Sequence, residues 1–434
     1  MNWRKVIQFT LVHVGVAITA VPISSTLNRI MIADMQLSAL LVGFLVAMPY
    51  LLSPLQILVG NWADHRPVWG YHRSPWILLG GLMASFGCYA AAHAVFLIPD
   101  NYALGVAAAL LTFTVWGVGV NVASVSYLSL LSEESQGHTG WRSRTVSIMF
   151  TTMILTTIVT SIGLSRILDP FSEAALYTAF GVIWFIATFF VIFGAAGIEP
   201  AAPDQARQNS ADNPATALRA LANNATAQRF FVYLLLVLIS IHAQDVLLEP
   251  YGAEVLGMSV SATSRLTAIW GVGVLLTMVG GLPLVRRAGK KRAANIGAVV
   301  AAIGFGAIIV TGLLQQVNLF LVAVFVLGLG GGLMTVSNLS FMLDMTVTGA
   351  AGLYMGAWGV ANFAGQSLGN ISSGLIRDVA YNVTGSAIFG YVIVFGLEIA
   401  GLVVAMLIFR TISVAEFQEE AAVSLPDVLA IAGD

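Results

Sequence analysis

The sequence predicts an all-α polytopic membrane protein of about twelve transmembrane helices in two six-helix halves. Three observations predict it: the composition, the recurrence of long apolar runs, and the placement of the basic residues. Of 434 residues, 58% are hydrophobic and only 9% charged, with a mean hydropathy of +0.88. A water-soluble domain carries roughly 25% charged residues, so most of this chain's outer surface calls for lipid. Lipid requires every backbone group to be paired internally, and the long apolar runs fit helices rather than the alternating strands of a membrane barrel.

Apolar runs long enough to cross a bilayer fall at 5–32, 37–62, 75–98, 102–131, 144–168, 173–197, 229–255, 260–286, 293–314, 317–344, 349–377 and 384–410. Turn-prone polar segments separate them, such as Asp64-His65-Arg66-Pro67 and Ile98-Pro99-Asp100-Asn101. The first run follows Arg4-Lys5 without a small-residue cleavage site, so it reads as a helix and not a signal peptide. Between the sixth and seventh runs, 198–228 has the composition of a polar linker, within which 214–229 could form a short interfacial helix. The expected organisation is therefore 1–197, a linker at 198–228, a second half at 229–411 and an acidic tail at 412–434, with Glu416, Glu419 and Glu420. With a cytoplasmic N-terminus, about fifteen of the 19 Lys and Arg residues fall on the cytoplasmic side. That is the expected bias; it places both termini and the linker in the cytoplasm.

The halves resemble each other. A slide of about 221 positions sets Asn28 on Glu249, Leu37-Ser38 on Met258-Ser259, and Gly60 on Gly281. Gly117-Val118-Gly119 and Ser124 match Gly330-Gly331-Gly332 and Ser337. Such repeats are a mark of transporter folds. A net charge of −2 gives no argument for nucleic acid, and the lone Cys88 excludes an intramolecular disulfide. No nucleophile–base set, phosphate loop or metal-ligand spacing is present in the sequence, so no enzyme chemistry and no bound metal are expected.

The loop Gly60-x-x-x-Asp64-x-Arg66, followed by Gly70-Tyr71-His72-Arg73, resembles the major-facilitator loop signature. The resemblance implies the major-facilitator fold. It also implies a conformational latch in which Asp64 contacts cations at helix ends and Gly60 permits close helix approach. Val285 stands at the acid's place in the second half, and the fourth span lacks the Arg of many proton-coupled exchangers. Three further segments resemble the PucC/LhaA light-harvesting assembly family: Leu27-Asn28-Arg29-Ile30-Met31-Ile32, the loop from Asp64 to Ile77, and Leu248-Glu249-Pro250-Tyr251-Gly252 with the following Leu256-Gly257-Met258-Ser259. His72 departs from the pattern, where an Arg is expected. This resemblance implies a non-enzymatic assembly factor in a bacterial inner photosynthetic membrane. Its cargo would be a bacteriochlorophyll or chlorophyll-type pigment. Its partners would be the bilayer, antenna polypeptides and possible pigment-synthesis enzymes.

Ionisable groups inside spans are costly, so each is a candidate site. Within the major-facilitator fold, the first helix of each half lines a central cleft. Asn28, Arg29, Asp245, Glu249, Tyr251 and Arg265 are the expected cleft residues. Arg29 is expected to pair with Glu249 or Asp245, as a gate or a static brace; the competing reading is that each charge snorkels alone. Arg265 and Arg377 would pair with Glu254 and Asp378, and Glu398 is the most isolated charge. A chlorophyll magnesium takes an axial ligand, often imidazole. His13 and His242 are the candidates, against the commoner role of hydrogen bonding between helices. Trp116, Trp184, Trp270 and Trp358 are expected as lipid-facing or interfacial anchors. Three functions remain open at this point: pigment delivery to antenna complexes, secondary transport of a small solute, and a structural chaperone that binds no pigment.

Overall fold

The computed structural model of the chain describes residues 2–65, 67–135, 139–200, 222, 224–347 and 351–422. Every long element among them is a helix, and the one β-bridge joins Val68 to Tyr71. In order these are α1 (Trp3–Asp34), α2 (39–65), α3 (Ser74–Val95), α4 (Tyr102–Glu134), α5 (Thr139–Ile167) and α6 (Glu173–Ala195). There follow α7 (Ala225–Glu254), α8 (Val260–Gly280), α9 (Lys290–Leu313), α10 (Val317–Asp344), α11 (Ala351–Thr384) and α12 (Ala387–Arg410). A last helix, α13, covers 414–422.

Ten of these helices are long and apolar enough to cross a membrane. The other two expected spans differ for local reasons. α2 is broken into Ala39–Val46, Met48–Leu51 and Leu55–His65; Pro49 and Pro54 lack the N–H that would carry the ladder through. α11 is unbroken over 34 residues, but Asn362, Gln366, Asn370, Arg377 and Asp378 dilute its apolar content. With these two, twelve helices or helical runs longer than twenty residues lie among the described residues, ten of them with the character of a span. Most of the polar linker, including 214–221 of the expected interfacial helix, lies outside the described residues.

Contacts divide the chain into two units. The first comprises Met1–Asn209 with Leu248–Ala268, and the second Ser210–Leu247 with Ile269–Asp434. The end of α7 and the start of α8, counted with the second half in the sequence, thus pack with the first.

Equivalent bonds express the duplication. Ser38 caps α2 by accepting from the Leu41 N–H (3.3 Å), and Ser259 caps α8 by accepting from Ala262 (3.2 Å). The amide of Leu37 donates to Met31 O at 2.9 Å, and that of Met258 to Gly252 O at 3.0 Å. All of these pairs lie 221 residues apart. The α4–α10 match holds in a shifted register. A Cβ on Gly119 would stand 2.3 Å from the Ala84 nitrogen in α3, and one on Gly330 would stand 2.4 Å from the Ala301 nitrogen in α9. Gly119 therefore corresponds to Gly330 rather than Gly332. Both helix pairs approach so closely that no side chain fits between the backbones.

α1 is not a uniform helix. After Ala17 it continues through Ala20–Pro22 and then winds as π-helix over Ile23–Leu27 and Ile30–Asp34. Pro22 removes one ladder donor. Segments of i→i+5 winding are rare and concentrate at functional sites.

Candidate functional site

The loop between α2 and α3 is clamped by two acids. Glu199, just past α6 and only 3% exposed, accepts three backbone N–H bonds: His72 (3.0 Å), Arg73 (2.9 Å) and Ser74 (2.7 Å). It therefore satisfies donors that the first turn of α3 would otherwise leave open. The Arg73 side chain is buried; its Nη2 donates to Glu133 of α4 at 3.3 Å and its Nη1 to Gly60 O at 3.5 Å. His72, placed where an Arg was expected, is buried and bonds the Ala63 carbonyl at 3.2 Å. Lys5 pairs with Glu134 at the same end. Of the predicted latch, Arg73 is thus built into this clamp. The side chain of Asp64 and all of Arg66 lie outside the described residues. Gly60 is present, but a Cβ there would meet only Val125 Cγ2 at 3.7 Å, an ordinary contact, so close approach is not its reason.

At the opposite end of the first unit, the start of α8 is stitched to α1 and α5 by hydroxyls. Thr26 Oγ1 lies 3.0 Å from Ser264 Oγ, Ser165 Oγ lies 3.2 Å from Ser261 Oγ, and Ser161 donates to the Ser264 carbonyl. Arg29 is buried here, but its partner is not the expected one. It pairs with Asp34, and its Nη2 reaches the Met258 carbonyl at 3.4 Å. Glu249 accepts from Thr267 Oγ1 at 2.8 Å, and Asp245 from His242 and Gln244 at 2.7 and 2.8 Å. The reason is the π winding: the turn closes on i+5, which brings Asp34 round to Arg29. Asn28 and Tyr251 are fully buried. Arg265 is exposed. A cleft of about 520 Å³ beside Arg29 also includes Asp34, Phe96, Phe171 and Glu173. One guanidinium against two carboxylates does not make it an anion site.

The histidines differ. His13 is buried in α1, with Nδ1 2.7 Å from the Tyr127 hydroxyl and its ring 5.2 Å from Phe150. Its buried Nε2 has no hydrogen-bond partner among the described residues. The second unit holds a counterpart, Tyr233 OH donating to Asn338 at 2.7 Å between α7 and α10. The polar bridge is therefore common to both halves; what sets His13 apart is its spare nitrogen. His242 is half-buried and is oriented by Asp245, three residues on. Further along the same unit Arg377 donates to Asp378 at 3.1 Å and lies over the rings of Tyr381 and Tyr391. Glu398 in α12 is 3% exposed, and neither carboxyl oxygen has a hydrogen-bond partner among the described residues.

Comparison with known proteins places this arrangement in a lineage. A family model described as PUCC protein matches residues 26–417. The chain belongs to the PUCC family. Among its relatives, Protein PucC of Cereibacter sphaeroides is 28% identical over 424 residues, covering 93% of this chain and 91% of that one. A protein of Rhodobacter capsulatus named Bacteriochlorophyll synthase 44.5 kDa chain is 27% identical over 386 residues, 86% of each chain. In fold, this PUCC-family chain is similar to the nucleoside transporter NupG (TM-score 0.68, 16% identity, 95% of this chain and 99% of that one). It is similar also to a D-xylose-proton symporter (TM-score 0.70, 18% identity, 94% and 96%). These likenesses show the major-facilitator fold and nothing further.

Several residues of the PUCC-family chain were not legible as functional. Glu199 reads as the start of the linker, because its contacts lie more than 120 residues away. α13 reads as a solvated tail, yet Glu420 accepts from Thr226 N (2.9 Å) and Phe417 is buried. Trp116 and Trp358 are buried, donating to Thr19 Oγ1 (3.0 Å) and Met345 O (3.1 Å), whereas Trp184 is exposed as expected. For the first two, flanking Gly and Ala residues that let helices close over a large ring were the available signal.

Proposed function

We propose that this PUCC-family protein is a membrane assembly factor for light-harvesting antenna complexes, one that binds a bacteriochlorophyll-type pigment and hands it to antenna polypeptides without enzymatic chemistry. On this reading it lies in the inner photosynthetic membrane with its basic loops and both termini cytoplasmic. The observation that carries the proposal is the family match over nearly the whole chain, joined to a relative of similar length whose name refers to bacteriochlorophyll. His13 gives the proposal a structural foothold. Tyr127 engages Nδ1 and fixes the ring; Nε2 has no partner among the described residues but is enclosed, so it would bind a pigment magnesium only once the groups packed on it, Phe150 among them, move aside. Orientation of a ligating imidazole by a bond to its other nitrogen is the usual arrangement. His242, held in the same way by Asp245, is the second candidate ligand.

The test is gentle purification from a photosynthetic host followed by absorption spectroscopy. A bacteriochlorophyll band should accompany the protein and fall several-fold in His13→Phe. Deletion of the gene should deplete antenna complexes while pigment synthesis continues. A pigment-free protein that drives uptake of a soluble solute would favour the transporter alternative. A pigment-free protein whose loss still depletes antenna would favour a structural chaperone.

A further inference from the structure

At the basic end of the second unit, α8 continues as a short helix, Leu282–Ala288, and turns at Gly289 into α9. Five cations fall within seven residues here: Arg286, Arg287, Lys290, Lys291 and Arg292. A cavity of about 450 Å³ opens at the start of α9, lined by three of them, Lys290, Lys291 and Arg292, together with Asn295, Phe341 and Asp344; Arg286 and Arg287 lie on the short helix before it, outside the lining. The two lysines are committed. Lys290 Nζ lies 2.7 Å from both oxygens of Asp344, the one acid of the lining, and Lys291 Nζ donates to the carbonyls of Arg410 (3.0 Å) and Ile412 (2.9 Å). The three arginines are exposed and make no ion pair among the described residues. Asn295 contributes a buried Oδ1 that lacks a donor.

The surface beyond the cavity is apolar and continuous with it. Arg292, Ile296, Val299 and Ile303 recur at i, i+4, i+7 and i+11, so they form one stripe along α9. Ile296 is 43% exposed, Val299 46% and Ile303 59%. A cation therefore ends an apolar track about three helical turns long, with exposed Leu282 and Leu284 on the adjoining helix. A soluble phosphate needs no such track, whereas an acyl chain does. Guanidinium groups suit phosphate because they donate two parallel bonds, and Asn295 Oδ1 would accept from a headgroup hydroxyl.

We propose that this cavity and stripe bind one anionic phospholipid with a hydroxylated headgroup, its phosphate on Arg292 at the cavity, its chain along α9, and the exposed charges of Arg286 and Arg287 on the preceding helix adding to the attraction. The site is independent of the pigment reading and would stand if that reading failed.

The test uses the full-length protein in nanodiscs of phosphatidylcholine doped with phosphatidylglycerol or phosphatidylserine, read by native mass spectrometry and thermal midpoint. Wild-type protein should retain phosphatidylglycerol in preference to both other lipids. The triple variant R286Q/R287Q/R292Q should lose that preference by roughly tenfold to a hundredfold, in line with about 1 kcal/mol per cation near an anionic surface. These residues are exposed, so the variant should fold; a variant with Leu in place of Asn295, N295L, should lose the phosphatidylglycerol-over-phosphatidylserine preference alone. A comparison triple in the first unit, R4Q/R142Q/R144Q, should keep the wild-type preference. Equal loss in both triples would mean generic surface charge and overturn the proposal. So would stabilisation by inorganic phosphate or glycerol phosphate in pure phosphatidylcholine, which would make it a soluble-anion site.

Discussion

Glu199 and Glu398 are both buried carboxyl groups, and their surroundings give them opposite weights. Glu199 accepts three N–H bonds. Hydrogen bonds to a charged group are worth about 1.5–3 kcal/mol. Glu199→Ala should therefore lower stability by at least that much, visible as a reduced thermal midpoint of the purified protein. Glu398 has no hydrogen-bond partner among the described residues. Replacing a buried unsatisfied polar group by an apolar one of similar shape is neutral or stabilising. Glu398→Met should leave the midpoint unchanged or raise it, by up to about 3 kcal/mol of stability; a clear fall would reveal a partner. Arg29 shows the limit of sequence reading at this scale. That it is a buried, costly charge was legible from its place in an apolar span. Its partner was not, because ordinary helical geometry keeps i and i+5 apart and only the π winding makes Asp34 its neighbour.

The elements divide into those packed by glycine and those held by caps. Gly119 and Gly330 sit where the third and fourth helices of each half touch backbone to backbone. Overpacking a closed interface costs about 1–3 kcal/mol and sometimes more. Gly119→Val and Gly330→Val should each destabilise the protein in that range or beyond, by similar amounts if the two interfaces are equivalent, as thermal unfolding of the pair would show. α13 is held differently. Glu420 bonds the first turn of α7, Asn224 Nδ2 donates to Phe417 O at 3.2 Å, and Phe417 packs on Tyr354 with ring centroids 5.0 Å apart. Truncation after residue 411 should remove a cap and a buried aromatic, together roughly 2–4 kcal/mol. Limited proteolysis should then find the start of α7 newly accessible. The caps at Ser38 and Ser259 were within reach of the sequence, since the 221-residue slide had already paired them. The register between Gly119 and Gly330 was not, because Gly328, Gly330, Gly331 and Gly332 offer several matches and only packing selects one.

For the whole molecule, the helical class, the order of the helices and the duplication were legible, because lipid leaves the backbone so few alternatives. What the sequence did not disclose is that 248–268 packs with 1–209. A fragment ending in the linker should therefore lack the partners of Thr26, Ser161 and Ser165. Expressed alone, 1–209 should be recovered poorly in detergent. Co-expressed with 210–434, it should co-purify and regain its thermal midpoint. Equal recovery of the lone fragment would show those hydroxyl contacts to be dispensable. The same molecule also carries a record of tolerance to changes in length. In a regular helix, deleting one residue turns everything beyond it by about a hundred degrees and scrambles which side chains face lipid. Each π segment of α1 holds one residue more than an α turn requires. A single deletion within Ile23–Leu27 could be absorbed by relaxation to ordinary winding, with Asn28 and Arg29 left near their present faces. The same deletion in the regular stretch Trp3–Ala17 would have no such refuge.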